Sequence, residues 1–147
     1  MIEKYLSYLQ ESQTSNFEII PYKGVGPIRF TMNRNQVSQA LNSKPKKFKK
    51  SSSSIVDAFD FIGVHVYYDK SNKCEYIELS GNSGVTFKGQ KLFKKGANFL
   101  KSLSKKIKAD EKNSLIFEDL GISITYTGNK IKSIGVFKKG YYKYGAK

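Results

Sequence analysis

The chain contains two closely similar segments. Residues 59–72 read FDFIGVHVYYDKSN and residues 117–129 read FEDLGISITYTGN. A sequence that repeats itself within one short chain has to fold into two similar local structures, so this feature constrains the fold more than any other. An offset of 58 positions aligns aromatic, glycine and apolar positions, namely Phe59 with Phe117, Gly63 with Gly121, Val66 with Ile124 and Tyr68 with Tyr126.

Each copy has the alternation of apolar and polar residues, broken by a turn, that is typical of a β-hairpin. A short strand pattern and a helical pattern precede each hairpin, and Phe30 and Phe87 begin the two units alike. We therefore predict an α+β fold: an N-terminal helix followed by two β-α-β-β units forming a mainly antiparallel sheet with helices packed on it.

The length of 147 residues is typical of one domain, so we expect residues 1–147 to form a single domain. The pseudo-repeat units would span about 24–80 and 83–139. The alternative is that two unrelated hairpins share the same apolar alternation, because any two half-buried hairpins do so.

Two stretches have the periodicity of an amphipathic helix. Residues 2–13 place apolar side chains three and four positions apart, and residues 91–108 form the longest such pattern. Within the first unit, the lysine-rich and serine-rich stretch KKFKKSSSS indicates a polar loop or the beginning of a strand.

The chain is strongly basic. It has 26 Lys and Arg residues against 12 Asp and Glu residues, a formal net charge of +14. Such a charge attracts nucleic acid, an anionic membrane surface or an acidic protein. Only Arg29 and Arg34 are arginines, and planar recognition of phosphates and bases favours arginine over lysine. A lysine excess can also reflect composition alone, so both interpretations stay open.

The cysteine count and the hydropathy of the chain indicate the cellular compartment in which the protein is expected to act. Cys74 is the single cysteine, so no internal disulfide can form and a cytoplasmic protein is the simplest expectation. The first residues lack the apolar run of a signal peptide, and no stretch approaches the roughly 20 apolar residues of a membrane-spanning helix. We expect no membrane association.

Few residues of the chain are suited to catalysis. His65 is the sole histidine; it could act as a general base, but a half-buried strand histidine is the simpler interpretation. One histidine and one cysteine cannot supply a zinc site. Gly24 and Gly26 precede a strand and not a helix, so they do not form a nucleotide fingerprint. The sequence predicts no cofactor and no metal.

Carboxylates cluster in the two hairpins. Paired acids can hydrolyse glycosides or hold a metal, so an enzyme that uses Asp60, Glu75 and Glu78 is one hypothesis. Acids at hairpin ends are usually solvated, however. We therefore predict no catalytic residues and a protein that is not an enzyme.

Basic segments interleaved with tyrosine are the stronger candidates for a binding surface. On a helix over 91–108, Lys94, Lys101, Lys105 and Lys108 would share one face. Lysines next to aromatic rings can also bind single-stranded nucleic acid, which gives the alternative function of a nucleic-acid-binding module. The predicted partner-binding residues are Lys46, Lys47, Lys94, Lys101, Lys105, Tyr141, Tyr142 and Tyr144.

Over about residues 24–142 the chain resembles the small bacterial immunity proteins encoded beside polymorphic and contact-dependent growth inhibition toxins. The resemblance lies in GPIRFTMNRNQV, FDFIGVHVYYDKSNKCEYIEL, FEDLGISITY and GVFKKGYY. It implies a non-enzymatic toxin inhibitor that binds one cognate toxin C-terminal domain in the cytoplasm, as a heterodimer, and blocks its active site.

The resemblance carries no fixed binding residues. Immunity proteins against basic nucleases are often acidic, whereas this chain is basic. The difference argues against a basic nuclease as partner and favours a toxin with an acidic face, or an interface away from the strongest positive field.

Overall fold

The structure is a computed structural model that describes residues 17–51, 54–110, 113–128 and 130–142. The helix predicted over 2–13 lies outside these ranges.

The described part of the chain is mainly β. Its helices are α1 (Arg34–Leu41), α2 (Leu92–Lys95) and α3 (Ala97–Leu103), and 3-10 turns occupy Asp60–Ile62 and Gly81–Ser83. None of these helices is long and apolar enough to cross a membrane. The strands are β1 (Ile19–Ile20), β2 (Gly24–Val25), β3 (Ile28–Arg29), β4 (Lys46–Ser51), β5 (Ser54–Phe59), β6 (Val64–Tyr68), β7 (Cys74–Leu79), β8 (Thr86–Phe87), β9 (Gln90–Lys91), β10 (Ile107–Ala109), β11 (Ser114–Phe117), β12 (Ile122–Thr127) and β13 (Lys130–Phe137).

One eight-stranded sheet dominates the structure. Its order is β10-β11-β12-β13-β7-β6-β5-β4, and every neighbouring pair is antiparallel. The sheet therefore consists of two four-stranded meanders: the first meander is β4–β7, the second is β10–β13, and β7 and β13 join them at the centre. Strands β1–β3 and β8–β9 form two small separate sheets.

The register at the centre has the symmetry of a two-fold axis. Ile77 lies opposite Val136, and Leu79 lies opposite Ile134. Adding 57 to a residue number of β7 gives its counterpart in β13, so Ile77 corresponds to Ile134 and Leu79 to Val136. When each residue is replaced by its counterpart, the pair of Ile77 with Val136 becomes the pair of Ile134 with Leu79. That both meanders derive from one duplicated unit stays a prediction, but their arrangement is pseudo-symmetric.

The predicted α+β class with two β-α-β-β units is wrong. The antiparallel sheet is present, but each meander contributes four strands and the chain is mainly β. The prediction gave each unit a single hairpin, so it missed the edge strands β4 and β10 and did not separate β5 and β11 as strands of their own. Edge strands expose one face and their outer backbone groups to solvent, so they tolerate lysine and lack clear apolar alternation.

The helix predicted over 91–108 is also wrong in its length. Gly96 has a φ of 78°, a value that breaks the helix between α2 and α3. Helix α3 ends at Leu103, and Ile107–Ala109 pairs with β11 as strand β10. The lysine stripe therefore does not lie on one helix face. Similarly, the stretch KKFKKS is strand β4 and not a loop.

The sheet has one face against the core and one face without a described helix. The core face carries Val64, Val66 and Leu79, which form one apolar cluster with Val37 of α1 and Leu100 of α3. Burying these side chains supplies the main driving force for folding. The described helices and the small sheets all contribute to this cluster. The opposite face, here called the open face, carries no described helix, but it is partly covered, because Val56, Ala58 and Ile116 are buried there.

Gly135 marks a close approach on the open face. It lies in β13 beside Glu78 of β7 and Ser123 of β12. The phenol of Tyr76 crosses directly over it, and its hydroxyl lies 3.0 Å from the Ser123 Oγ. A Cβ at position 135 would lie 1.9 Å from that hydroxyl. Only glycine lets Tyr76 lie flat across the sheet.

Gly135→Ala is therefore expected to lower the free energy of unfolding by about 1–3 kcal/mol, the usual cost of overpacking. Denaturant unfolding measures the change. Gly81→Ala is the matched control, because a Cβ there meets nothing within 4 Å. Equal effects of the two substitutions would show that Tyr76 does not need the glycine.

Arg34 connects helix α1 to the first meander. Its guanidinium forms an ion pair with Asp57, whose side chain is 1% exposed. It also lies 4.3 Å from the centre of the Tyr68 ring and donates to the Ile55 carbonyl at 3.1 Å. Burial, and then the Asp57 carboxylate, raise the pKa of Tyr68. A buried carboxylate is tolerated because the guanidinium neutralises it and donates to it.

Arg34→Met is expected to lower the free energy of unfolding by about 3–5 kcal/mol, because it leaves the Asp57 carboxylate buried without its cation. Replacing both residues, as Arg34→Met with Asp57→Leu, should restore most of this loss. Lys138→Met, which removes a more exposed partner of Asp69, should cost less than about 1 kcal/mol. A double variant as unstable as Arg34→Met would contradict the interpretation.

Candidate functional surfaces

A row of residues in cross-strand register crosses the open face of the sheet. The cross-strand register connects one edge to the other, with a histidine and a glutamate in the middle and a lysine at each end. Charged and polar groups at fixed spacing can set the orientation of a partner. The row consists of Lys46, Ala58, His65, Glu78, Gly135, Ser123, Ile116 and Lys108.

His65 lies between two carboxylates. Its Nε2 is 2.7 Å from the Asp60 Oδ1, and its Nδ1 is 3.5 Å from the Glu78 Oε1. Glu78 is the cross-strand neighbour of His65, and Asp60 is in the 3-10 turn before β6. The sequence offered no partner for His65, because both contacts depend on the hairpin register and turn. The cluster is partly exposed, with side-chain exposures of 29% for His65, 33% for Glu78 and 66% for Asp60.

Phe61 is the most exposed large apolar residue described. Its side chain is 96% exposed, at the tip of the 3-10 turn and directly after Asp60. The corresponding position of the second segment is Asp119, which accepts hydrogen bonds from the Lys105 N–H and the Ser104 hydroxyl. The Asp119 side chain thus stabilises the local structure through these hydrogen bonds, whereas the Phe61 ring is almost completely exposed to solvent.

An aromatic cluster covers the centre of the open face. Tyr76 contacts Tyr67 and Tyr141, with ring centroids 5.5 and 4.9 Å apart. Phe137 and Tyr142 meet edge to face at 4.9 Å. The turn after β13 thus folds back over the sheet, and rings in these geometries attract one another beyond their burial.

Burial controls the ionisation of this cluster. Burial raises the pKa of Tyr141 to about 12, and Tyr142 and Glu75 add to the effect. The pKa of Tyr76 is raised well above its ordinary value of 10.0, mainly by burial. These hydroxyls are therefore neutral in the folded protein where an ordinary tyrosine begins to ionise.

The stability is expected to fall as the pH rises from about 10 to about 12. Tyr141 ionises near 10.0 when unfolded and near 12 when folded, so the unfolded state loses its proton first. Below pH 10 this contribution is fully present. Denaturant unfolding at several alkaline pH values, with absorbance at 295 nm to follow ionisation, measures the effect.

The variant Tyr141→Phe isolates this contribution, because the titration of the many lysines is the same in both proteins. Its stability should fall less steeply above pH 10 than that of the parent chain. Identical slopes for the two proteins would contradict the assignment.

A basic cleft lies on the helix side of the sheet. Its volume is about 660 Å³, and it lies between helices α2 and α3 and strands β11–β13. Lys94, Lys95, Lys101 and Lys130 surround it, and among the described residues that line it none is acidic. Its apolar lining consists of Phe93, Leu115, Tyr126 and Ile131.

The predicted partner-binding residues do not form one surface. Lys94 and Lys101 line the cleft, whereas Lys46 and Lys47 are exposed on β4, at the far edge of the sheet. Lys105 follows α3, with its N–H bonded to Asp119. The remaining predicted residues are the half-buried Tyr141 and Tyr142 of the aromatic cluster and Tyr144, which lies outside the described residues.

Sequence reasoning missed the apolar part of the cleft and the exposed ring at 61. Tyr126 and Ile131 were assigned to strands, but nothing local shows that they face α2 and α3. Lys95 and Lys130 lie outside the proposed lysine stripe. The signal that could have found Lys130 is the absence of nearby acids along β13.

Three of the described carboxylates are engaged in structural contacts. Asp57 pairs with Arg34, Asp69 with Lys138, and Asp119 with backbone. In the described ranges, no group of three or more histidine, cysteine or acidic residues is arranged to hold a metal. Burial raises the pKa of the Cys74 thiol to about 12, which opposes formation of a nucleophilic thiolate at neutral pH.

A comparison with protein-family models, with curated proteins and with solved structures finds no match to this chain. The surfaces themselves are therefore the basis for a functional conclusion.

Proposed function

We propose that the protein is a non-enzymatic immunity protein that acts in the cytoplasm and neutralises a cognate bacterial toxin domain by binding it. The observation that carries the proposal is the exposed Phe61 ring beside the cluster of Asp60, His65 and Glu78 at one end of the open face. An exposed aromatic ring next to fixed charges is typical of the few residues that dominate a protein–protein interface.

The rest of the open face supports the same function. A broad antiparallel sheet holds its side chains in fixed positions, so little order has to be created on binding. Tyr67 carries a large ring with a polar end, which suits a protein interface, whereas Tyr76 lies against Tyr141 and its hydroxyl contacts Ser123. The lysines at both edges of the row would attract an acidic partner and increase its association rate.

A nucleic-acid-binding module is the second candidate, and the lysines around the cleft favour it. Two observations weigh against it. Arg34 pairs with Asp57, and Arg29 donates to the carbonyls of Gly26 and Ile28, so neither guanidinium is directed outward for phosphate. Tyr141 and Tyr142 pack against the aromatic cluster instead of offering two open ring faces.

The test is co-expression with the C-terminal domain of the protein encoded directly upstream. Growth should stop with that domain alone and recover when the immunity protein is present. The complex should persist in size exclusion at about 0.5 M salt, where exposed charge pairs are screened. Absence of rescue, or a complex that dissociates at this salt, would contradict the proposal.

Phe61→Ala should weaken the complex about 30-fold or more, because an aromatic anchor is worth about 2 kcal/mol or more. Its exposure means that the truncation should leave folding intact. Ile107→Ala is the matched control: Ile107 is also exposed, at 41%, but lies at the opposite edge of the sheet on β10. Similar affinities of the two variants would remove Phe61 from the interface.

A further inference from the structure

Helices α1 and α3 occupy corresponding places in the two halves of the structure. Helix α1 begins at Arg34 and buries Val37, three residues later; α3 begins at Ala97 and buries Leu100, again three residues later. Both buried residues belong to the core cluster beneath the sheet. Counted back from these buried residues, Ala97 stands at the helix position that Arg34 holds in α1, and it lines a cleft together with Leu115 and Tyr126; the offset of 57–58 that relates the strands does not extend to these helices.

The strands beneath these helices correspond as well. In the first meander Asp57 lies opposite Val66, and Tyr68 lies opposite Cys74. In the second meander the matching cross-strand pairs are Leu115 with Ile124 and Tyr126 with Ile131. A tyrosine ring is thus present under the helix in both halves, while an aspartate in the first half is a leucine in the second.

The two sites differ in what fills them. In the first half the Arg34 side chain lies over the Tyr68 ring and pairs with Asp57. In the second half Ala97 cannot reach across, and the cleft of about 660 Å³ lies there, lined by Tyr126, Leu115 and Ile131. This volume is within the range of about 300–1,000 Å³ of ordinary ligand sites.

We infer that this cleft is a docking site for an acidic protein segment that inserts one apolar side chain. The inference concerns a second surface, on the helix side of the sheet, and does not depend on the proposed toxin partner. An apolar side chain would lie on Tyr126, against Leu115 and Ile131, where Arg34 lies in the first half.

The lysines around the cleft determine which residues should flank the apolar side chain of the docked segment. Leu115 stands where the first half has Asp57, so this site lacks the carboxylate that would attract a cation. Lys94, Lys95, Lys101 and Lys130 instead surround the opening, so carboxylates on both sides of the apolar residue would meet lysine. The aliphatic floor of Leu115 and Ile131 favours an apolar side chain. The test below includes RNA, because Phe93 and Tyr126 are rings on which a base can stack.

The probe is a short labelled peptide in which acidic residues flank a single phenylalanine, titrated into the full chain by fluorescence anisotropy at about 0.1 M salt. Ala97→Arg is the decisive variant, because it should fill the cleft as Arg34 fills the first site. We expect it to weaken peptide binding about tenfold although it adds a positive charge. Ser102→Arg adds the same charge on an exposed position of the same helix and should bind at least as tightly as the parent chain.

Two further variants test the inference without altering position 97, in case Ala97→Arg does not fold. Lys94→Glu with Lys101→Glu should weaken binding about tenfold or more, whereas Lys46→Glu with Lys47→Glu, at the far sheet edge, should change it less than about threefold. A peptide with alanine in place of phenylalanine should bind about tenfold more weakly to the parent chain.

Several results would overturn the inference. These are no binding of the probe, unchanged or tighter binding by Ala97→Arg in a folded protein, and equal losses for the two double charge reversals. Tighter binding of an RNA oligonucleotide than of the peptide, with competition between them, would assign the cleft to nucleic acid instead.

Discussion

The antiparallel pairing of β7 with β13 is the contact on which the rest of the structure depends. Each meander is held together by local hairpins, but neither closes a core by itself. The central pair aligns Ile77 and Leu79 with Val136 and Ile134 on the core face, and the helices and small sheets then pack over one continuous apolar surface. The same pairing brings Glu78 and Tyr76 beside Gly135 and Phe137 on the open face. The cross-strand row and the aromatic cluster of the open face therefore both depend on this one register.

The pseudo-symmetry allows corresponding positions in the two halves of the molecule to be compared with each other. Corresponding positions carry an internally satisfied polar group in one half and an outward-facing feature in the other. Arg34 and Asp57 close the site under α1, while Ala97 and Leu115 leave a cleft under α3. Asp119 binds backbone in one turn, while Phe61 points to solvent in the other. Such differences mark the positions that folding alone does not determine, and these are the positions on which the two proposals rest.

Local patterns revealed the inner hairpins but not the outer strands or the sites. Alternation around Val64–Tyr68 and Ile122–Thr127 reflects strands with one face in the core, so it can be read directly from the sequence. Strand β4 tolerates its many lysines because it lies at an edge of the sheet. The helical pattern over 91–108 does not form one helix, because Gly96 adopts a positive φ and Ile107–Ala109 pairs with β11 as a strand. Lys94 and Lys101 were identified by charge, but the floor of their cleft comes from strands distant in sequence. Phe61 was hidden in an apolar run that reads as strand.

The position of β13 in the sheet also has a consequence for how the protein is made. It is the last of the eight strands in chain order, yet it occupies the interior of the sheet. During synthesis the first meander can form while β7 still presents bare N–H and C=O groups along its length. Such an edge is a template for pairing with another chain. We expect nascent or truncated chains that lack β13 to self-associate through the exposed edge of β7.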